Sequence, residues 1–334
     1  MSDLLLFALG RSRDFALGIA AHLGTGLADH EEREFEDGEH KARPLQSVRG
    51  RDCYVYHNLY GEPGASANDK LCRLLFFCAT LRQNGAGRLT VISPYLAYAR
   101  KDRQTKPRDP VTSRYVAQLC EAVGIDRMVV LDVHNPAAFQ NAFRIETVIL
   151  TAAPLFLQRL LPRLSGEEAV VVSPDAGGAK RAEAFRELLE RRLQRAVPLA
   201  FLEKKRSGGV VSGDAVVGEV AGRFAVIVDD IVATGTTLRR AAEALHAQGA
   251  KRVIACATHG LFTEGAREVL ESGVFESLLV CDTIPPFRLP EGPVRSRVEP
   301  VETAPLLAEA IRRLHADLPL TPLASEGPFP ELRV

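Results

Sequence analysis

Asp229 and Asp230 follow the apolar run at 225–228 and precede the small-residue turn Ala233-Thr234-Gly235-Thr236-Thr237. Such a run reads as a buried parallel strand, so the two carboxylates fall at its carboxyl end. The turn then opens a helix running to about Leu245. Glycine and threonine at a helix N-terminus offer N–H groups and hydroxyls to an anion, and the helix dipole favours a phosphate there. A carboxylate pair can meet ribose hydroxyls or a metal ion in the same crevice. Together these residues describe a pocket for a phosphorylated sugar. The same letters would also serve as plain helix caps, which need only one such side chain.

A second loop of this kind follows the apolar run 169–173: Ser173-Pro174-Asp175-Ala176-Gly177-Gly178-Ala179-Lys180-Arg181. Gly177 and Gly178 let backbone approach an oxyanion closely. Both loops belong at the carboxyl ends of strands, where open α/β sheets bind ligands. His134 closes another strand, with Asp132 two residues back and expected on the same side of it. Read alone, a histidine before Asn135-Pro136 is equally a turn residue. Lys204 and Arg206 precede Ser207-Gly208-Gly209, a hinge on which two cations could close over developing phosphate charge. Without further context a solvated surface run is the favoured reading. Arg100 is a planar multidentate donor suited to phosphates.

The elements that must position these residues alternate along the chain. Apolar strands are expected at 4–9, 52–56, 88–92, 127–132, 169–173, 199–202, 224–228, 253–258 and 277–281, with helical periodicity at 69–83, 112–123 and 239–248 between some of them. This alternation predicts an α/β protein with mostly parallel sheets flanked by helices. A chain of 334 residues favours two domains, divided near Leu150 and holding about four and about five parallel strands. Residues 304–316 read as a final amphipathic helix. The Pro-rich tail 317–334 reads as extended or poorly ordered.

Apolar residues make up 46% of the chain and charged residues 25%, and 42 basic residues balance 42 acidic ones, so any anion site must be local. No nucleic acid or membrane partner is expected. Six cysteines without metal-ligand spacing suit reduced thiols, and the compartment is read as cytoplasmic.

Ser173 to Arg181 resembles the pyrophosphate loop of the ribose-phosphate pyrophosphokinases (PRPP synthetases). Further stretches fit that family in order: Phe35-Glu36-Asp37-Gly38-Glu39, Ser47-Val48-Arg49-Gly50, Pro94 to Arg100, Asp132-Val133-His134, Thr258-His259-Gly260, Thr283-Ile284-Pro285 and Leu307 to Arg313. A phosphoribosyltransferase would share only the loop from Asp229 to Thr237. The resemblance implies two tandem phosphoribosyltransferase-type domains: 1–150 on the ATP side, joined by the returning helix at 304–316, and 151–303 carrying the sugar and pyrophosphate loops. It implies transfer of pyrophosphate from Mg-ATP to O1 of ribose 5-phosphate, with Lys204 and Arg206 catalytic. Phe35, Asp37, Glu39, Arg100, Lys101 and His134 would bind ATP, with Phe35 stacking on adenine and Glu39 accepting a hydrogen bond from it. Asp229, Asp230 and residues 233–237 would hold ribose 5-phosphate. Asp175, Ala176, Gly177 and Gly178 would form the pyrophosphate loop, and His134 and Asp175 would meet Mg²⁺. Self-association into a hexamer or another dimer-based oligomer, with the Phe35 loop reaching a neighbouring site, is also implied. The acidic stretch 31–39 would otherwise be a solvated turn.

The chain departs from that pattern in places. Lys101 stands where glutamine is common and adds a cation near ATP; Ala233 stands where Asp is frequent; Arg144 stands where a carboxylate is typical. The last change bears on regulation by phosphate or ADP rather than on chemistry. Two other functions compete with catalysis: a non-catalytic regulatory subunit, or a phosphoribosyltransferase consuming the same product.

Overall fold

The computed structural model describes residues 3–207 and 210–328. The chain divides into two compact units, one of residues 1–151 with 304–334, the other of residues 152–303.

The first unit runs β1 (Leu4–Ala8), α1 (Ser12–Leu23), β2 (His30–Glu34), β3 (His40–Pro44), β4 (Asp52–Tyr56), α2 (Ala67–Gln83), β5 (Arg88–Ile92), α3 (Thr112–Ala122), β6 (Arg127–Leu131), α4 (Pro136–Ala142) and β7 (Glu146–Leu150). Its main sheet has the order β1-β4-β5-β6-β7, parallel throughout. Four of these five strands are apolar on both faces, as a sheet covered by helices on both sides requires. Alternate residues Phe7, Val55, Val91 and Val130 share one core with Leu74 and Phe77 of α2 and with Ala117 of α3. On the other face Phe15 of α1 stacks on Tyr56, ring centroids 5.1 Å apart. Five strands replace the expected four because β7, Glu-Thr-Val-Ile-Leu, begins polar and follows a break at Phe143. The hairpin β2–β3 stands apart as a two-stranded sheet.

The second unit runs α5 (Ala153–Leu164), β8 (Ala169–Ser173), α6 (Ala179–Leu193), β9 (Leu199–Ser207), β10 (Val210–Val217), β11 (Phe224–Val232), α7 (Thr236–Ala247), β12 (Arg252–Gly260), α8 (Ala266–Glu271), β13 (Leu278–Cys281) and β14 (Val298–Val301). Its seven strands lie in the order β10-β9-β8-β11-β12-β13-β14, all parallel except β10. Seven replace the expected five: β9 continues beyond Leu202 and pairs back with β10, and β14 adds the far edge. The chain leaves β8 for β9 on one side and later returns to β11 on the other. The direction of winding therefore reverses between β8 and β11, which opens a crevice at their carboxyl ends.

After β14 the chain returns to the first unit as α9 (Ala304–His315) and α10 (Thr321–Ser325). The tail is not extended where it is described: Pro322 occupies the first turn of α10, where its missing N–H is harmless, and Leu323 is buried.

Candidate active site

The crevice of the second unit collects both phosphate-type loops. β8 and β11 are hydrogen-bonded neighbours, in register from Ala169↔Phe224 to Val172↔Ile227, so the loops that follow them emerge side by side. After β8, Ser173 Oγ donates to the Asp175 carbonyl at 2.6 Å, and the Gly178 N–H donates to Asp175 Oδ1 at 3.0 Å. These bonds wind the loop tightly: a Cβ on Gly178 would lie 2.8 Å from Ser173 Oγ. Asp175, Ala176 and Gly177 are exposed just before α6, whose N-cap is Gly178. After β11, Gly235 takes φ 74° and caps α7, a conformation that a side chain resists. Thr234 and Thr236 share a hydroxyl contact of 3.0 Å, and Thr263 N–H anchors the Ala233 carbonyl at 2.9 Å. Thr234, Thr236 and Thr237 are exposed; Ala233 is half-buried.

Asp229 and Asp230 do not stand beyond the strand, as the sequence suggested. β11 continues through them to Val232, and Asp229 pairs in register with Ala257 of β12. Pairing with β12 alone carries the ladder past Val228, since the register with β8 ends at Ile227. Arg181, in the first turn of α6, reaches across to both acids, Nη1 3.2 Å from Asp229 Oδ1 and Nη2 3.0 Å from Asp230 Oδ1. Burial, then the charge of Asp230, pushes the Asp229 carboxyl up to about 8 despite this guanidinium. Arg181 thus joins the candidate site through contacts the sequence did not assign, although it lies within the loop motif.

Lys204 and Arg206 sit not on a Gly-rich loop but within β9, opposite Asp214 and Val211 of β10, with a register shift between Val211 and Gly213. Their side chains, and Gly208 and Gly209 of the expected hinge, lie outside what the structure describes.

The ATP candidates belong to the first unit. Arg100 and Lys101 follow β5, and His134 follows β6, so both loops leave the carboxyl edge of one sheet. Asn135 joins them: its Nδ2 donates to Asp102 Oδ2 at 2.6 Å, while its Oδ1 accepts from Ala138 N–H and caps α4. His134 is exposed. The expected alternation of Asp132 with His134 fails, because β6 ends at Leu131 and Asp132 turns to φ 41°. Tyr98, two residues before Arg100, also has a positive φ, 64°. Lys101 is not a loose cation: its Nζ lies 2.6 Å from Asp109 Oδ2, which also accepts from Thr105 and Lys106 N–H. Arg144 donates to the Asn141 and Phe143 carbonyls at the end of α4, a helix-terminal use of its charge. Phe35, Asp37 and Glu39 form the tip of the β2–β3 hairpin, where Phe35 is 36% exposed.

Among the described residues no group of three His, Cys, Asp or Glu side chains could by itself hold a metal ion. Asp175 offers a lone exposed carboxylate beside anion-accepting backbone. That donor set fits Mg²⁺, which keeps several waters and binds through one carboxylate together with substrate phosphates. No helix among the described residues is long and apolar enough to cross a membrane.

A family model described as the N-terminal domain of ribose phosphate pyrophosphokinase matches residues 4–124, and one described as the phosphoribosyl synthetase-associated domain matches residues 202–323. The chain is 36% identical to a ribose-phosphate pyrophosphokinase of Caldanaerobacter subterraneus subsp. tengcongensis over 96% of its own length and 98% of the relative. It is 34% identical to ribose-phosphate pyrophosphokinase 1 of Streptococcus pyogenes over 98% and 99%. The crystal structure of phosphoribosylpyrophosphate synthetase from Mycobacterium smegmatis superposes with a TM-score of 0.83 at 32% identity, covering 94% of this chain and 99% of that one.

Proposed function

The chain belongs to the ribose-phosphate pyrophosphokinase family, and from that premise we propose that it transfers the β,γ-pyrophosphoryl group of Mg-ATP to O1 of ribose 5-phosphate, giving 5-phosphoribosyl 1-pyrophosphate and AMP. One observation carries the reading to these residues: two anion-accepting loops leave neighbouring strands at the reversal point of a parallel sheet, with Arg181 spanning from one to the acids of the other. In this reading the exposed threonines Thr234, Thr236 and Thr237, with the backbone of Ala233 and Gly235, hold the 5-phosphate. Asp229 and Asp230 accept from the ribose 2- and 3-hydroxyls. The loop of Asp175, Ala176, Gly177 and Gly178 receives the incoming pyrophosphate.

O1 attacks the β-phosphorus in line. A bond from O1 to that phosphorus forms, the bond from it to the oxygen shared with the α-phosphate breaks, and AMP departs with the electron pair as O1 gives up its proton. Such transfers depend mainly on positioning and charge neutralisation. Lys204 and Arg206 are assigned to the charge that develops on the transferred group, and Arg100 with Lys101 to the ATP phosphates. Lys101 must exchange Asp109 for phosphate to do so. Mg²⁺ would be held at His134 with the ATP phosphates and, at a second position, by Asp175, and would supply further neutralisation. Phe35 stacks on adenine and Glu39 accepts a hydrogen bond from it, with Asp37 beside them, from a hairpin assigned to a neighbouring protomer's site, so the enzyme works as a dimer-based oligomer such as a hexamer. Five of the six cysteines are buried and all six are free, which supports a reducing, cytoplasmic setting.

The test is AMP release from ATP and Mg²⁺ with and without ribose 5-phosphate. Pentose-dependent AMP is expected; none with all three present discards the proposal.

A further inference from the structure

We propose that Glu32 is a positioning residue for nucleotide binding, fixing the register of the β2–β3 hairpin through a clamp with His30, His40 and the Gly10 backbone; this rests on the reading that the hairpin tip meets adenine. A two-stranded hairpin is marginal in water unless something holds it, and β2, His-Glu-Glu-Arg-Glu, brings no apolar side chain. Alternation places His30, Glu32 and Glu34 on one face of β2, opposite Pro44, Ala42 and His40 of β3. Glu32 stands at the centre of that face. Its Oε1 accepts from Gly10 N–H at 2.7 Å and lies 3.1 Å from His30 Nε2, while Oε2 lies 3.1 Å from His40 Nε2. The side chains are sheltered, 21% exposed for Glu32 and 6% and 7% for the histidines. Burial alone would push the carboxyl up, but its donors overcome that and hold it down at about 2. Glu34 adds an ion pair to Arg73 of α2.

The clamp carries a penalty that an apolar staple would not. Nδ1 of both histidines is buried without a hydrogen-bond partner, and the His30 ring lies among Phe7 and Phe77, centroids 6.2 and 5.4 Å away. What the polar arrangement adds is uniqueness. A one-residue slip of β2 against β3 would turn Glu32 to the opposite face and break its contacts with Gly10 and His40 together. The register then propagates outward. His40 follows Glu39 directly, Phe35 N–H donates to the Glu39 carbonyl at 2.8 Å, and Glu39 N–H donates to Asp37 Oδ1 at 3.1 Å. On the solvent face the Arg33 guanidinium lies 5.1 Å from the Phe35 ring centroid and covers one side of it. Phe35, Asp37 and Glu39 are therefore presented as one preset surface, and Glu32 acts through them without touching nucleotide.

The experiment compares full-length Glu32→Gln and His40→Phe with the parent by steady-state kinetics, thermal unfolding and amide hydrogen exchange. His40→Phe keeps the ring and removes the stranded Nδ1, so it guards against loss of folding. Expected are a KM for ATP raised about tenfold, kcat and the KM for ribose 5-phosphate within about twofold, an unmoved Tm and faster exchange at residues 33–41. An unchanged KM for ATP overturns the inference, as does a joint decline of every kinetic constant together with Tm. Phe35→Ala separates the two layers. If it also leaves the KM for ATP unchanged, the nucleotide reading of the hairpin fails with the inference; if it raises that KM while Glu32→Gln does not, the inference alone fails.

Discussion

Arg181 ties the two loops of the crevice together at the level of single atoms, with one guanidinium serving two adjacent carboxylates. One positive charge cannot fully compensate two negative ones in a buried site, so the last proton of the pair, whose loss leaves both acids charged, is held tightly. The Asp229 carboxyl is accordingly raised from 3.8 to about 8. Its folded value exceeds its unfolded value, so the folded protein retains a proton that the unfolded chain releases between the two. The stability this contributes is complete below the unfolded value and is lost as pH rises through about 8. The melting temperature of the ligand-free protein should fall from about pH 5 to about pH 8, and Asp229→Asn should flatten that slope; parallel pH profiles for both proteins would remove the acid pair as its source. Lys204 supports a kinetic prediction instead. If it meets charge only as the pyrophosphoryl group transfers, Lys204→Ala lowers kcat by about 10²-fold and leaves ribose 5-phosphate affinity nearly unchanged. A rise in KM at constant kcat would make it a binding residue. Residue types and spacing sufficed to single out Asp229, Gly177 and Gly235, because their chemistry is local. The grip of Arg181 was not legible, since its partners lie 48 and 49 positions away and depend on which strands become neighbours.

Loops at strand ends depend on backbone room, and Gly178 shows how little there is. Its φ of −84° is open to any residue, so only the 2.8 Å approach of a new Cβ to Ser173 Oγ opposes a side chain. Gly178→Ala should therefore destabilise the protein by about 1–3 kcal/mol and weaken pyrophosphate binding. Ser173→Ala removes the opposing hydroxyl, so the double variant should recover at least half of that loss in urea unfolding; strict additivity would mean the contact is not the cause. Gly235 is different, because its φ of 74° strains any replacement whatever the space around it. The strands feeding these loops were readable as apolar runs, but their lengths were not. β9 and β11 extend into charged residues because neighbouring strands supply ladder partners. β2 and β3 lack an apolar alternation and were not legible as strands, since the inward face of β2 is built from histidine and glutamate. β14, Val-Glu-Pro-Val, was hidden by Pro300, which an edge strand tolerates.

At the scale of the whole chain, α9 makes the first unit depend on residues that follow the second. Leu306, Leu307, Ile311 and Leu314 are buried, and α9 packs on α1 closely enough that a Cβ at Gly18 would sit 3.5 Å from Ala304 Cβ. His315 Nδ1 lies 2.7 Å from Asp52 Oδ2, and Arg88 donates to both Asp52 oxygens and to the Leu314 carbonyl, fastening the helix to the starts of β4 and β5. Four large apolar side chains at about 1.5–3 kcal/mol each amount to roughly 6–12 kcal/mol. That equals most of the stability of a typical domain, roughly 5–15 kcal/mol. A fragment of residues 1–151 should therefore fail to fold. Joining residue 151 to residue 304 through a flexible linker should restore a cooperative melt, while residues 152–303, whose sheet is complete without α9, should fold alone and bind ribose 5-phosphate by calorimetry. A cooperative transition of the 1–151 fragment at the melting temperature of the linked version would show that α9 covers the sheet without holding it.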